Sequence, residues 1–298
     1  MERELVEFES HDGLTLRGSR LLGPGRPKAT VILTHGYGEH AGRYAALLKA
    51  LTASRFAVWG INLRGHGRSD GDRAFEPEFG NYLADMQLVV ERARAELPGR
   101  PVYLLGHSLG GLIALSYALD HQDELDGLVL LAPALRFWAT VTEPTEKLVR
   151  RIAGRAPNWP LVAYIPGLRS KKLGTERTAL SDPLVYHGWV KAGTIVSIGD
   201  AGANALARAP ELQLPVLTMH GDGDRLIHPD GSKALYQAIG VRPNADNSLV
   251  TWPGMRHELL NEADAEQVIG VVLGWLNGHY TEWRKANPSG VKAAAESA

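Results

Sequence analysis

Residues 102–111 read VYLLGHSLGG, a short apolar run that passes directly into a serine enclosed by glycines. A strand, then G-x-S-x-G, then a helix is the context in which such a serine becomes chemically informative. The bend is tight enough that Ser108 is expected in a strained backbone conformation, its hydroxyl raised above the end of a sheet. Gly106 and Gly110 are required beside it because a Cβ there would strike the neighbouring strand or helix, and Gly111 relaxes the same packing. The helix that starts after Ser108 aims its amide dipoles at negative charge developing nearby. An idle serine on a glycine-rich connection would look the same over these five residues, so the rest of the chain has to decide.

Outward from this stretch, short apolar runs alternate with amphipathic segments. Strands are expected at 31–34, 56–62, 102–105, 127–132, 215–219 and 248–252, and helices at 43–53, 78–97, 110–120, 231–239 and 263–279. Near the start, ELVEFES and LTLRGSRLL flank HDG at 11–13, a hairpin with Asp12-Gly13 at its turn. Strands separated by helices mean an α/β fold, its mostly parallel central sheet covered on both faces. The rhythm breaks between 134 and 209, where no clear sheet strand occurs and Pro144, Pro157, Pro160, Pro166 and Pro183 punctuate the chain. So long an irregular interval is expected to be a helical cap, or lid, over the carboxyl end of the sheet. The expected organisation is a core formed by 1–133 and 210–280, the cap at 134–209, and a C-terminal tail at 281–298 that begins to fray at NPSGVKAAAESA.

Serine is a weak nucleophile until a base takes its proton, so the hypothesis requires a histidine oriented by a carboxylate. In the order Ser, Asp, His, the partners must sit after later strands. HGDGDRLIHPD follows the strand at 215–219, and PGMRHELLNE follows that at 248–252. Asp224 is the chosen acid because Gly221 and Gly223 suit a tight bend that presents it. Asp222, nearer the strand, is the alternative acid or else only a cap for the turn, and Asp230, the third candidate, resembles an N-cap for the next helix. His257 is the base candidate, four residues past Pro253 of the Pro253-Gly254 pair, on a loop. The oxyanion of an acyl transfer needs two amides: one is that of Leu109, and the other is that of Tyr37 in THGYGEH, after the strand at 31–34. His35 is expected to brace that loop through its own hydrogen bonds.

In this order and spacing HGYGEHAGRY, RGHGRSDG, GHSLGG, DPLVYHG, HGDGDRLI and HELLNE resemble the monoacylglycerol lipase branch of the α/β-hydrolase family, its bacterial members in particular. The resemblance covers about residues 25–280. It implies the α/β-hydrolase fold and hydrolysis of monoacylglycerol esters, with Ser108, Asp224 and His257 as the triad and Tyr37 and Leu109 as oxyanion donors. It also places Glu39 and Arg43 near the polar end of the bound ester as candidate glycerol contacts; an ion pair closing the loop is the alternative reading of both. A broader carboxylesterase, a lysophospholipase or a thioesterase would use the same machinery under a different cap. A non-catalytic binding module would have no need of the base, acid and oxyanion loop together.

Composition excludes several other chemistries. There is no cysteine among the 298 residues, which removes disulfides, thiolate zinc sites and a cysteine nucleophile. A net charge of −1 gives no electrostatic reason to expect nucleic acid. GHGRSDG is one residue too long for a dinucleotide fingerprint, HGYGEH and HELLNE lack zinc-ligand spacing, and DGDRLIHPD lacks the central glycine of a calcium loop, so no cofactor and no metal is implied. The opening MERELVEFES has no apolar run of a secretory signal, and the longest apolar window, WPLVAYIPGL, is too short to span a bilayer. A cytosolic location is expected.

The interval 134–209 carries Phe137, Trp138, Trp159, Tyr164 and Trp189 beside Leu148, Val149, Ile152, Leu161, Val162, Ile165 and Leu168. Within PTEKLVRRIAGRA the apolar positions 148, 149, 152 and 156 share one helical face, and Lys147, Arg150, Arg151 and Arg155 occupy the other. The partners expected are a lipid ester in an apolar tunnel above Ser108 and, through the basic face, a membrane or micelle surface.

Overall fold

The computed structural model describes residues 2–137, 143–163, 167–242 and 246–288. Trp138, Tyr164, Ile165 and the end of the expected tail lie outside the described residues.

Short apolar runs build the strands. They are β1 (Glu2–Glu9), β2 (Thr15–Leu22), β3 (Ala29–Thr34), β4 (Phe56–Ile61), β5 (Val102–His107), β6 (Gly127–Leu131), β9 (Val216–Gly221) and β10 (Asn247–Trp252), joined in one sheet of order β1-β2-β4-β3-β5-β6-β9-β10. Strand β2 pairs antiparallel to both its neighbours, and the pairs from β4 to β10 are parallel. The first two form the hairpin expected from the sequence, with Gly13 at φ +82° in its turn. Residues of one strand divide between two cores: Ile32, Leu104, Leu128 and Leu130 face one, while Val31, Leu33, Leu105 and Val129 face the other. This period of two with both faces buried is why the strands read as unbroken apolar runs.

The helices are α1 (Ala45–Ala53), α2 (Phe79–Glu96), α3 (Leu109–Asp120), α4 (Glu143–Arg155), α5 (Leu173–Ser181), α6 (Ala192–Arg208), α7 (Pro229–Gly240) and α8 (Ala265–Ala286). Helices α2, α3, α6 and α7 bury apolar stripes against one face, and α1 and α8 against the other. No helix among the described residues is long and apolar enough to cross a membrane.

Three expectations need correction. Helix α8 runs to Ala286, through the first six residues of the assigned tail, because TEWRKA contains no breaker before Asn287-Pro288. Helix α7 starts at Pro229 with His228 as its cap, so Asp230 is already helical and pairs with Lys233 Nζ at 3.0 Å instead of capping. The interval 134–209 also holds a small antiparallel pair, β7 (Pro160–Val162) with β8 (Val190–Lys191), outside the main sheet. Within that interval α4 buries none of its residues. Helix α6, by contrast, sends Ile198 and Ala205 into the core with α3.

The parallel strands finish nearly level. Thr34 pairs with Gly106, His107 with Leu131, and Gly221 with Trp252. The loops that follow β3, β5, β9 and β10 therefore leave at one edge of the sheet, where side chains distant in sequence can meet.

Candidate active site

Ser108 stands between β5 and α3 at φ +53° and ψ −117°, a left-handed conformation that costs a non-glycine residue of order 1–3 kcal/mol. Its surroundings enforce it. Its N–H donates to Leu131 O at 2.9 Å, and its carbonyl accepts from Ala134 N at 3.0 Å and Leu112 N at 3.1 Å. A Cβ at Gly106 would fall on the Gly110 backbone, and one at Gly110 on the carbonyls of Thr34 and His35, so strand and helix close only with glycine at both positions.

Asp224 and His257 meet after β9 and β10. His257 Nδ1–H donates to Asp224 Oδ2 at 2.7 Å, and Asp224 is fully buried. The other carboxylate oxygen, Oδ1, accepts from Leu226 N at 2.8 Å and Ile227 N at 3.1 Å. Burial would raise the Asp224 carboxyl, but the His257 charge and the hydrogen bonds from His220 and His257 outweigh it and hold the group far below the carboxylate range. For His257, burial pushes the imidazole down and Asp224 pulls it back, leaving it below the usual histidine value. Asp222 is exposed and takes the Gly254 amide, which is the turn-capping role. Ser108 and His257 line the same cavity, and Ser108 Oγ makes no hydrogen bond among the described residues. Such contacts in unliganded sites are often formed only with substrate.

The loop after β3 carries Tyr37, Glu39 and, in the one-turn helix Ala41–Tyr44, Arg43. No hydrogen bond from the Tyr37 or Leu109 amide is found among the described residues, and both residues line the cavity. His35 braces the loop: Nδ1–H donates to Gly36 O at 2.8 Å and Nε2 accepts from Leu63 N at 3.0 Å. Burial, with help from His66, pushes this imidazole down to about 3, so it stays neutral.

Glu39 and Arg43 realise the ion-pair alternative. Glu39 Oε1 accepts from Gly36 N at 2.8 Å, Tyr44 OH at 2.6 Å and His107 Nδ1 at 3.0 Å, and Oε2 accepts from Arg43 Nε at 3.1 Å. Arg43 continues to Glu258 Oε2 at 2.8 Å. His107 Nε2–H donates to the carbonyl of His257 at 3.1 Å, and its Nδ1 also lies 2.8 Å from the Tyr44 hydroxyl. Burial would lower His107, but Glu39 more than offsets it and raises it; burial would raise Glu39, but His107 and Arg43 hold it low. Glu39 touches the cavity wall, whereas Arg43 is not part of it. Glu39→Gln is therefore expected to destabilise the fold by about 3 kcal/mol, the cost of breaking a buried charge pair, seen as a lower urea midpoint at pH 7. A change confined to KM would mean that Glu39 serves the ligand instead.

The cavity is about 590 Å³, and Val149, Leu161, Val162, Leu168 and Phe137 contribute to its apolar wall. Leu148, Trp159 and Trp189 point outward, each more than half exposed. The interval 134–209 is latched to the loop after β3: His40 Nε2 meets Asp182 Oδ2 at 2.8 Å, and Tyr186 N donates to Gly38 O at 2.7 Å. This is the physical reason HGYGEHAGRY and DPLVYHG occur together. Arg169 adds a contact from its Nη2 to Tyr37 O at 3.5 Å, and its carbonyl accepts from Glu258 N at 3.0 Å.

The family model described as "Serine aminopeptidase, S33" matches residues 25–264. Across 254 residues the chain is 33% identical to the monoacylglycerol lipase of Mycolicibacterium smegmatis, covering 85% of this chain and 89% of that one. The chain belongs to the monoacylglycerol lipase branch of the α/β-hydrolase family. The monoglyceride lipase of Homo sapiens is 31% identical over 80% of this chain and 78% of its own length. In three dimensions the monoacylglycerol lipase of Paleococcus ferrophilus superposes with a TM-score of 0.76 at 26% identity, covering 94% of this chain and all of that one.

Two residues of this α/β-hydrolase site were not singled out from the sequence. His220 Nε2–H donates to Asp224 Oδ2 at 3.1 Å while its Nδ1 accepts from Ser232 Oγ at 2.7 Å, which gives Asp224 a second buried donor. His107 joins the loop of Glu39 to the loop of His257, as described. Both are strand-end histidines within the quoted motifs, GHSLGG and HGDGD, and that position was the available signal.

Proposed function

We propose that the protein hydrolyses monoacylglycerols to a fatty acid and glycerol through an acyl-enzyme on Ser108. One observation carries the reading: an imidazole held by a buried carboxylate at 2.7 Å shares a largely apolar cavity with a serine fixed in a strained turn. His257 takes the Ser108 proton at Nε2 as Oγ attacks the ester carbonyl. The Tyr37 and Leu109 amides receive the oxyanion that forms. Collapse breaks the bond to glycerol, whose oxygen leaves with the proton from His257. Water, deprotonated by the same imidazole, then attacks the acyl-enzyme, and the second collapse returns the proton to Ser108. Asp224 keeps Nδ1 protonated, so that Nε2 is free to act, and favours the imidazolium of each transition state.

Residues 134–209 form the cap that encloses the acyl chain, consistent with the aliphatic side chains that they give the cavity, among them Val149, Leu161, Leu168 and Ile195. Leu148, Trp159 and Trp189 on the outside of this cap, with the basic residues of α4, support contact between a cytosolic enzyme and a lipid surface. Part of the basic face is internally neutralised, since Arg150 pairs with Glu146 and Asp200, and Lys147 with Glu143. One turnover panel tests these readings: monoacylglycerols of several chain lengths beside diacylglycerol, lysophospholipid and short aryl esters, in neutral and anionic vesicles. Monoacylglycerols are expected to give the highest kcat/KM, higher in anionic vesicles at low salt. A panel led by lysophospholipid or aryl ester would reject the substrate, and equal rates in both vesicles the surface contact.

A further inference from the structure

A second cavity of about 390 Å³ opens at the opposite end of the sheet, between the amino ends of the parallel strands and α8. Tyr103, the second residue of β5, lies on its wall five residues before Ser108, which separates the two sites by roughly 16 Å of strand. Tyr103 is 1% exposed, and its hydroxyl has no hydrogen-bond partner among the described residues. A buried hydroxyl in that state is costly unless something enters the cavity to meet it.

The surroundings define what that is. Asp126 and Glu282 bring carboxylates, and among the described residues no lysine or arginine lines the cavity. A third carboxylate, Asp246, is held by His279 Nε2 at 3.0 Å. Asp126 Oδ2 accepts from Val102 N at 2.8 Å, yet burial outweighs that amide and the Arg94 charge and pushes its carboxyl up. Glu282 meets Lys285 at 2.7 Å, a solvated surface pair of little strength. Trp275 and Trp283 complete the walls, Trp275 lying edge-on to Tyr103 with ring centroids 6.2 Å apart. Gly274 and Gly278 keep the space open, since a Cβ on either would touch nothing within 4 Å. Carboxylates, a hydroxyl oxygen able to accept, and aromatic faces, on a wall to which no described lysine or arginine contributes, suit an organic cation that donates hydrogen bonds.

We propose that this cavity binds a primary alkylammonium ion. Its N–H groups meet Tyr103 Oη and the carboxylates of Asp126 and Glu282, and its alkyl stem lies across Trp275 and Trp283. The site is independent of ester hydrolysis.

Titration of n-butylammonium chloride into the full chain, followed by calorimetry and tryptophan fluorescence, tests it against sodium chloride and tetramethylammonium chloride at equal ionic strength. Saturable binding of n-butylammonium is expected, with sodium giving none and tetramethylammonium, which has no N–H, binding more weakly. Tyr103→Phe should weaken it by about tenfold, the worth of a hydrogen bond to a charged group. Gly278→Leu should abolish it by filling the space while leaving circular dichroism and ester turnover unchanged. A response to n-butylammonium no different from that to sodium would overturn the proposal. So would equal affinity for tetramethylammonium, or full binding by a folded Gly278→Leu variant.

Discussion

Ser108→Ala is expected to lower turnover of a monoacylglycerol by about 10⁶-fold, the scale seen when a triad nucleophile is removed. The loss should fall on kcat, because the Tyr37 and Leu109 amides and the apolar cavity, the proposed ester site, are untouched. Stability should change by less than about 0.5 kcal/mol, since the hydroxyl has no hydrogen bond among the described residues and alanine inherits the same backbone conformation. Ser108→Gly makes the complementary case: it is equally inactive but relieves the φ of +53°, and should raise the unfolding free energy by about 1 kcal/mol, seen as a higher urea midpoint. Stability given up at this one position would thus be tied to function. Steady-state rates, denaturation curves and mass spectrometry after a phosphonate probe check all three statements. Activity above about 1% in the alanine variant, or an adduct elsewhere than Ser108, would mean another nucleophile.

The parts of this molecule that could be read from the sequence are those in which neighbours along the chain supply the signal. Runs such as VILT and GLVLLA predict strands because both faces of a parallel strand are buried. The chosen Ser, Asp and His each follow one of these runs, and level strand ends bring their loops to one edge. What could not be read depends on partners far away in sequence. Strands β7 and β8 are three and two residues long, too short for any period to show. The role of His107 rests on Glu39 and on the carbonyl of residue 257, and no local pattern announces that bridge. Arg43 could be narrowed to two roles; the choice required knowing that Glu258 stands 2.8 Å from its guanidinium. The second cavity needed β5, the approach to β6 and the far end of α8 together, and α8 reads from the sequence only as far as residue 279.

Asp224→Asn is expected to reduce kcat by about 10⁴-fold, and the hydrogen bonds around the carboxylate give the reason. Oδ1 accepts from two backbone amides, Leu226 and Ile227, which cannot become acceptors. The asparagine carbonyl oxygen must therefore take the Oδ1 position, which puts its NH₂ where Oδ2 now faces His257 and His220. A donor there forces His257 Nδ1 to accept, and its single proton moves to Nε2. That tautomer has no lone pair for the Ser108 proton. Loss of the negative charge also removes the influence that pulls His257 upward, so residual activity should show an acid limb lower than that of the parent, itself centred below about 6.5. The sign follows because the neutral imidazole is the working form, and activity is lost as pH falls through its pKa. Asp222→Asn should behave as the parent, since an amide oxygen can still accept from Gly254 N at that exposed turn. kcat/KM measured across pH 4–9 for the two variants separates the roles, and a collapse in Asp222→Asn with a near-normal Asp224→Asn would transfer the acid to the other aspartate.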